Sequence, residues 1–168
     1  CVEETDATVD DWKRLSKEIY DASPVINGIK VPILWGTDAV HGHNNLIGAT
    51  IFPHNIGLGA TRNADLVRDI GKATALEVIS TGVIWTFAPA ITAPQDLKWG
   101  RTYEGYSEDS NIVSVMGGAL IEGLQGRNKD FLSNNHILAT AKHFIGDGGT
   151  FDGIDRGNTK PVSYTHLT

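Results

Sequence analysis

Val31-Pro32-Ile33-Leu34-Trp35-Gly36-Thr37-Asp38 is the stretch on which the fold turns. It is a short apolar run that passes abruptly into polar residues. Such a run reads as a strand buried on both faces, the habit of parallel sheets. Residues 83–88 and 137–144 read the same way. Helical stretches separate them. Asn63 is suited to cap a helix in which Leu66, Ile70, Ala73, Leu76 and Ile79 recur at intervals of three and four, and Gly82 closes it. Ile112, Met116, Ala119, Leu120 and Gly123 give another such stripe, with Gly117 and Gly118 read as permitting close packing on a sheet. Strand, helix, strand, helix, strand at about 50-residue spacing predicts the α/β class with a parallel sheet. Three strands do not by themselves separate an open sheet from a (β/α)8 barrel.

Upstream, Thr8 suits an N-cap with Asp10 and Asp11 in the first turn, ahead of Trp12, Leu15, Ile19 and Tyr20 at helical spacing. Ser23-Pro24 and Asn27-Gly28 mark turns after that helix. Residues 39–59 hold four Gly, three His and three Asn with little periodicity, and read as a long loop.

The chain has 168 residues, with 14 Lys and Arg against 20 Asp and Glu, a net charge of −6. That balance argues against a nucleic-acid partner, which calls for a basic surface. No segment reaches the about 18 to 20 consecutive apolar residues of a membrane helix, so no membrane span is expected. A single cysteine rules out an internal disulfide framework and multi-cysteine metal sites. That cysteine is residue 1, in place of an initiator Met, and points to a piece of a longer chain.

Three polar clusters follow the three strands. They are Asp38-Ala39-Val40-His41-Gly42-His43-Asn44-Asn45, Trp99-Gly100-Arg101-Thr102-Tyr103-Glu104, and Lys142-His143 with Asp147 four residues beyond. Carboxylates accept from hydroxyls, Arg, Lys and His donate to them, and Trp offers a flat face to a sugar ring, so the set suits a polyhydroxylated ligand. Each residue also has a plainer reading. Asp38 can cap the following turn, Arg101 can pair with Glu104 or Glu108, and His54 and His136 can be structural or surface residues. Lys142 at the end of a buried strand needs a partner or a job. The glycines of residues 146–150 fit neither the P-loop nor the dinucleotide spacing. Three functions remain open on the residues alone: a metal-dependent hydrolase using His41 and His43, a glycoside hydrolase with Asp38 and Asp147 as its carboxylate pair, and a non-catalytic carbohydrate-binding module.

Longer motifs narrow this. Gly36-Thr37-Asp38-Ala39-Val40-His41-Gly42-His43-Asn44-Asn45, Thr50-Ile51-Phe52-Pro53-His54-Asn55-Ile56-Gly57-Leu58-Gly59, Trp85-Thr86-Phe87-Ala88-Pro89, Trp99-Gly100-Arg101-Thr102-Tyr103-Glu104, Tyr106-Ser107-Glu108-Asp109 and Ala141-Lys142-His143-Phe144-Ile145-Gly146-Asp147-Gly148-Gly149-Thr150 resemble, in order and spacing, the N-terminal domain of glycoside hydrolase family 3. The resemblance runs over about residues 8–159 and is nearest to the family's β-glucosidase and exo-β-glucanase branch. It implies about three βα units of a (β/α)8 TIM-type barrel, truncated at both ends, in a domain of residues 1–159. It implies a retaining, exo-acting enzyme that releases terminal non-reducing β-D-glucosyl residues from β-glucosides or β-glucan oligosaccharides, without a cofactor or metal. Asp38, Arg101, Lys142 and His143 match the family's glucose-binding residues. His41, Asp147, Gly148 and Gly149 match residues that shape the loops beside them, which displaces the metal reading of His41 and His43.

The same resemblance puts the nucleophile aspartate and the acid/base glutamate outside this chain, so the chain alone is expected to be inactive. It leaves the rest of the barrel and a second α/β domain as missing partners. The compartment stays unknown from the residues, and the resemblance implies a periplasmic or secreted protein. Arg156 stands where some relatives carry an acidic residue, and residues 160–168 read as an atypical, foreign tail.

Overall fold

A computed structural model describes residues 7–159. The expectation of a foreign tail at residues 160–168 lies outside the described residues.

Helix α1 (Val9–Asp21) begins where the local chemistry dictates. The Thr8 hydroxyl accepts from the Asp11 amide at 3.3 Å, and the Asp11 carboxylate accepts from the Thr8 amide at 3.0 Å. This reciprocal pair satisfies two amides that would otherwise lack partners. α1 buries Trp12, whose ring stacks on Trp35 with centroids 5.9 Å apart. A two-residue hairpin follows, β1 (Val25–Ile26) against β2 (Ile29–Lys30). Its turn is Asn27-Gly28, with φ of +52° and +80°, the left-handed pair that joins tightly twisted strands.

The three expected strands lie side by side and parallel, with segment 83–90 in the middle. Isolated parallel bridges join Thr37 to Thr86, Trp85 to Leu138 and Ala90 to Lys142. Amide bonds run from Thr37 to the Trp85 carbonyl, from Thr86 to that of Leu138 and from Lys142 to that of Pro89. The crossovers are α3 (Ala64–Ser80) and α4 (Ser110–Gln125). This is the α/β arrangement that the pattern predicts. Burial of the first strand on both faces is not observed. Val31, Ile33 and Leu34 are 44%, 49% and 51% exposed. Segment 31–38 is one of the two outer members, and α1 covers it only at Trp35, which leaves Val31, Ile33 and Leu34 open. Ile84 in the middle segment is likewise 55% exposed, although Val83 and Ala88 are buried.

α3 and α4 carry the core with Val67, Val78, Val113, Met116 and Leu124. Asn63 caps α3 by accepting from the Leu66 amide at 3.0 Å. The buried stripe of α3 is turned from the expected one. Val67, Ile70, Gly71, Thr74, Ala75 and Val78 face inward, while Leu66 and Leu76 are exposed. Small residues win the inward face because the helices nearly touch. A Cβ at Gly71 would sit 2.8 Å from the Leu120 carbonyl oxygen, and one at Gly123 would overlap that of Arg68. The closest backbone approach is therefore between helices. Of the two glycines expected against the sheet, Gly117 does pack there, where a Cβ would come within 2.9 Å of the Ile91 side chain, while Gly118 faces open space.

The expected long loop at 39–59 ends in a short helix, α2 (Asn55–Thr61). Gly57 and Gly59 hide it from a propensity reading. Gly59 is required there because a Cβ would overlap the Tyr106 carbonyl oxygen. No helix among the described residues is long and apolar enough to cross a membrane.

Candidate functional site

Parallel neighbours end on the same edge of a sheet, so the loops that follow them meet there. Asp38 closes the first segment, Arg101 lies in the loop after the second, and Lys142 and His143 end the third. The structure brings all four together. Lys142 Nζ donates to Asp38 Oδ1 at 2.7 Å. The ammonium is the better covered partner, with 17% of its side chain exposed against 58% for Asp38. One of three ammonium protons is spent there, and Asp38 keeps its second oxygen.

Arg101 is the hub. Its Nε and Nη2 each donate at 2.8 Å to one oxygen of Glu104, a two-pronged pair. Nη2 also reaches His143 Nε2 at 2.9 Å. A guanidinium only donates, so that imidazole nitrogen accepts and the ring proton belongs on Nδ1. Nδ1 lies 2.8 Å from Asp147 Oδ2, though too far off axis for a hydrogen bond. Nη1 stands 3.9 Å from Asp147 Oδ2, beyond hydrogen-bonding distance, and has no such partner among the described residues. The site therefore offers one unspent carboxylate oxygen, ammonium protons and one face of a guanidinium.

The protonation states follow from the neighbours. Burial pushes the Glu104 carboxyl up, but its hydrogen bonds from Arg101 outweigh this and hold it below the usual range. The Glu104 hydrogen bonds raise Arg101 in turn. His143 is lowered by burial first and by the Arg101 charge second, against an opposing pull from Asp147. It is held neutral, consistent with accepting from Arg101.

The surrounding loops are built separately. His41 Nε2 lies 2.7 Å from His54 Nδ1, and the His54 ring meets the Tyr103 ring edge-on at 4.6 Å. His43 is fully buried beside Trp12 and bonds Thr81 Oγ1 at 3.0 Å. The two imidazoles thus turn to different neighbours. Among the described residues no group of three His, Cys, Asp or Glu is arranged to hold a metal ion. Asp147, Gly148 and Gly149 form one tight turn. There Gly148 lies against the backbone of residue 93, where a Cβ would come within 2.7 Å of the Ala93 carbonyl oxygen. Trp99 does not offer its face to a ligand, contrary to the expectation from its cluster. It is 2% exposed, and its indole donates to Asp155 at 2.9 Å.

The sequence from residue 3 to residue 167 matches the model of the glycosyl hydrolase family 3 N-terminal domain. The chain belongs to glycosyl hydrolase family 3. Within family 3 it is similar to a lysosomal β-glucosidase of Dictyostelium discoideum, 37% identical over 130 residues, which are 76% of this chain and 16% of that protein. It is also similar to the crystal structure of an exo-1,3/1,4-β-glucanase from a Pseudoalteromonas species, 49% identical with a TM-score of 0.90 over 95% of this chain and 21% of that one. A β-glucosidase from Listeria innocua, solved as a mutant with laminaribiose, is 25% identical with a TM-score of 0.77 over 93% of this chain and 20% of the other. The chain spans about a fifth or less of the length of these family 3 relatives.

Sequence reasoning named Glu104 only as one of two ion-pair partners for Arg101 and read His54 as structural or surface. It missed Asn55, whose side-chain amide donates to the Glu104 carbonyl at 2.8 Å. Spacing of three from Arg101 to Glu104 was the one available signal for the pair. Nothing local marks Asn55, because its partner is 49 residues away.

Proposed function

We propose that this chain is part of a retaining, exo-acting β-glucosidase or β-glucanase that hydrolyses terminal non-reducing β-D-glucosyl residues. Its three βα units form part of a (β/α)8 barrel, and its strand ends form part of the subsite for the terminal glucose. Asp38 Oδ2 accepts from sugar hydroxyls, Lys142 Nζ and Arg101 Nη1 donate to them, and His143 lines the same subsite while holding Arg101. His41, Asp147, Gly148 and Gly149 shape the loops around it. The aspartate nucleophile and the glutamate acid/base lie outside these 168 residues, in the remainder of the barrel and a second α/β domain. The ligand is a neutral β-glucoside or β-glucan oligosaccharide, in keeping with a chain of net charge −6.

The observation that carries this reading is the meeting of Asp38, Lys142, Arg101 and His143 at one sheet edge with donors and an acceptor left unspent. Family membership and the laminaribiose that the Listeria relative holds support it. The test uses an aryl β-glucoside. The full-length enzyme should turn it over, Asp38→Ala should lower kcat/KM by about a hundredfold or more, and the 168-residue chain should leave it intact. Turnover by this chain alone, lost in Asp38→Ala, would place the chemistry here and refute the assignment. An Asp38→Ala enzyme of unchanged kcat/KM would remove Asp38 from the subsite.

A further inference from the structure

α2 stands between two of the site loops and touches both. On one side the ring of its capping residue His54 pairs with His41, three residues beyond Asp38, and the Phe52 amide donates to the His41 carbonyl at 2.9 Å. On the other side three consecutive contacts reach residues 103–106. His54 packs on Tyr103, Asn55 Nδ2 donates to the Glu104 carbonyl at 2.8 Å, and Gly59 lies directly on the Tyr106 backbone. Leu58 roots the helix in the main core.

Asn55 is 2% exposed. Burying an amide is costly unless its hydrogen bonds are made, and an apolar residue of similar size would fill the space without that cost. The bond it makes goes to the turn Thr102–Glu104, whose first and last flanks carry Arg101 and the Glu104 carboxylate. The turn's other bonds are local. The Thr102 amide and hydroxyl donate to the Trp99 carbonyl, the hydroxyl also to that of Asp96, the Glu104 amide to the Arg101 carbonyl and the Gly105 amide to the Thr102 carbonyl, whereas the Asn55 side-chain amide ties the turn to α2.

We propose that Asn55 is a positioning residue for the Arg101–Glu104 pair. α2 acts as a strut that fixes the distance between the loop bearing Asp38 and the loop bearing Arg101. The ligand consequence rests on the subsite reading above, whereas the positioning itself does not. Asn55 touches no substrate. It holds the carbonyl of Glu104, and Glu104 holds the guanidinium with Nη1 turned away from the pair.

Two variants test this. Asn55→Leu keeps the volume and removes the donor. Asn55→Asp is isosteric and donates only when protonated. The readout is the exchange rate of the Arg101 Nε proton in the purified chain by nitrogen-edited NMR. The ionisable side chains of Glu104, His54 and His41 lie nearby, so each variant is compared with the unchanged chain at the same pH. Exchange should be about tenfold faster in both variants at pH 8. At pH 5 only Asn55→Asp should return to the rate of the unchanged chain. Val83→Ala, buried at the start of the middle segment, serves as a control that lowers stability without moving the Arg101 signal.

D-glucose titrated into the full-length enzyme carrying the same substitutions gives the second readout, with affinity about tenfold weaker in Asn55→Leu. If the unsubstituted full-length enzyme binds no glucose, the subsite reading fails and Arg101 exchange still decides the strut. If Asn55→Leu does not fold, the pH response of Asn55→Asp decides it. Arg101 exchange in Asn55→Asp that matches the unchanged chain at both pH values would overturn the proposal, as would equal acceleration in Val83→Ala.

Discussion

The helix pair and the sheet it crosses are finished to different degrees. α3 and α4 close on each other, with Val67, Val78, Val113 and Leu124 fully buried and two glycines where the backbones meet. The three extended segments are tied by isolated parallel bridges, one between the first and second and two between the second and third, and Ile33, Leu34, Ile84 and Phe144 stay exposed, Phe144 at 95%. The candidate site is mounted on the less finished half. Burial is what makes an apolar residue stabilising, so similar side chains carry very different weight in the two regions. The site is held by polar bonds between loops more than by the packing beneath it.

This contrast can be broken first at its strongest point. Leu124→Ala in the helix layer should cost about 2–5 kcal/mol, while Ile33→Ala on the outer segment should cost about 0.5 kcal/mol or less. Urea denaturation of both variants measures the gap, and equal costs would end the distinction. A smaller effect sharpens the site side. Glu104 has 13% of its side chain exposed and anchors Arg101 through two bonds. Glu104→Gln should destabilise the chain by about 1–3 kcal/mol. Asp38→Asn removes the far more exposed partner of Lys142 and should cost about 1 kcal/mol or less. Similar values in the two variants would show that Glu104 works only as a surface ion pair.

The smallest effect is the response to pH. His41 and His43 are lowered, mainly by burial, and His143 by burial and Arg101. A lowered histidine binds fewer protons folded than unfolded, so stability falls as pH drops below the unfolded value near 6.5. Glu104 is also lowered on balance, and its contribution is present above about 4.5 and lost as pH falls through the folded value. Both act in one direction but in different windows. Between pH 7 and 5 the histidines dominate, and the melting temperature should fall. For His43 the slope is bounded at about 1.4 kcal/mol per pH unit. His43→Gln, which can still donate to Thr81, should flatten the fall. An unchanged profile would mean that His43 is not held neutral by its burial.

Legibility in the sequence followed the range of each interaction. Thr8 and Asn63 were readable as caps because their partners are three residues away. The two crossover helices and the parallel order were readable from apolar spacing. The phase of α3 was not, since Leu66 and Leu76 outweigh Gly71 and Ala75 on any apolar count, while contact with α4 favours the small residues. α2 was lost among glycines whose purpose lies in a neighbouring backbone. At the site, Asp38, Arg101, Lys142 and His143 were named from their motifs, but Trp99 was given a ligand-facing role that its bond to Asp155 denies.

By itself the sequence determined the α/β order, the helix starts and the residue types that gather at strand ends, because those depend on bonds and periodicities within a few residues. The tertiary structure decided which face of α3 is buried, that His41 and His43 part company, and that Arg101 is gripped by Glu104 and His143 with Asn55 behind the turn. Those outcomes depend on contacts between residues tens of positions apart, which only the packing of α2, α3 and α4 against the three segments brings within bonding distance.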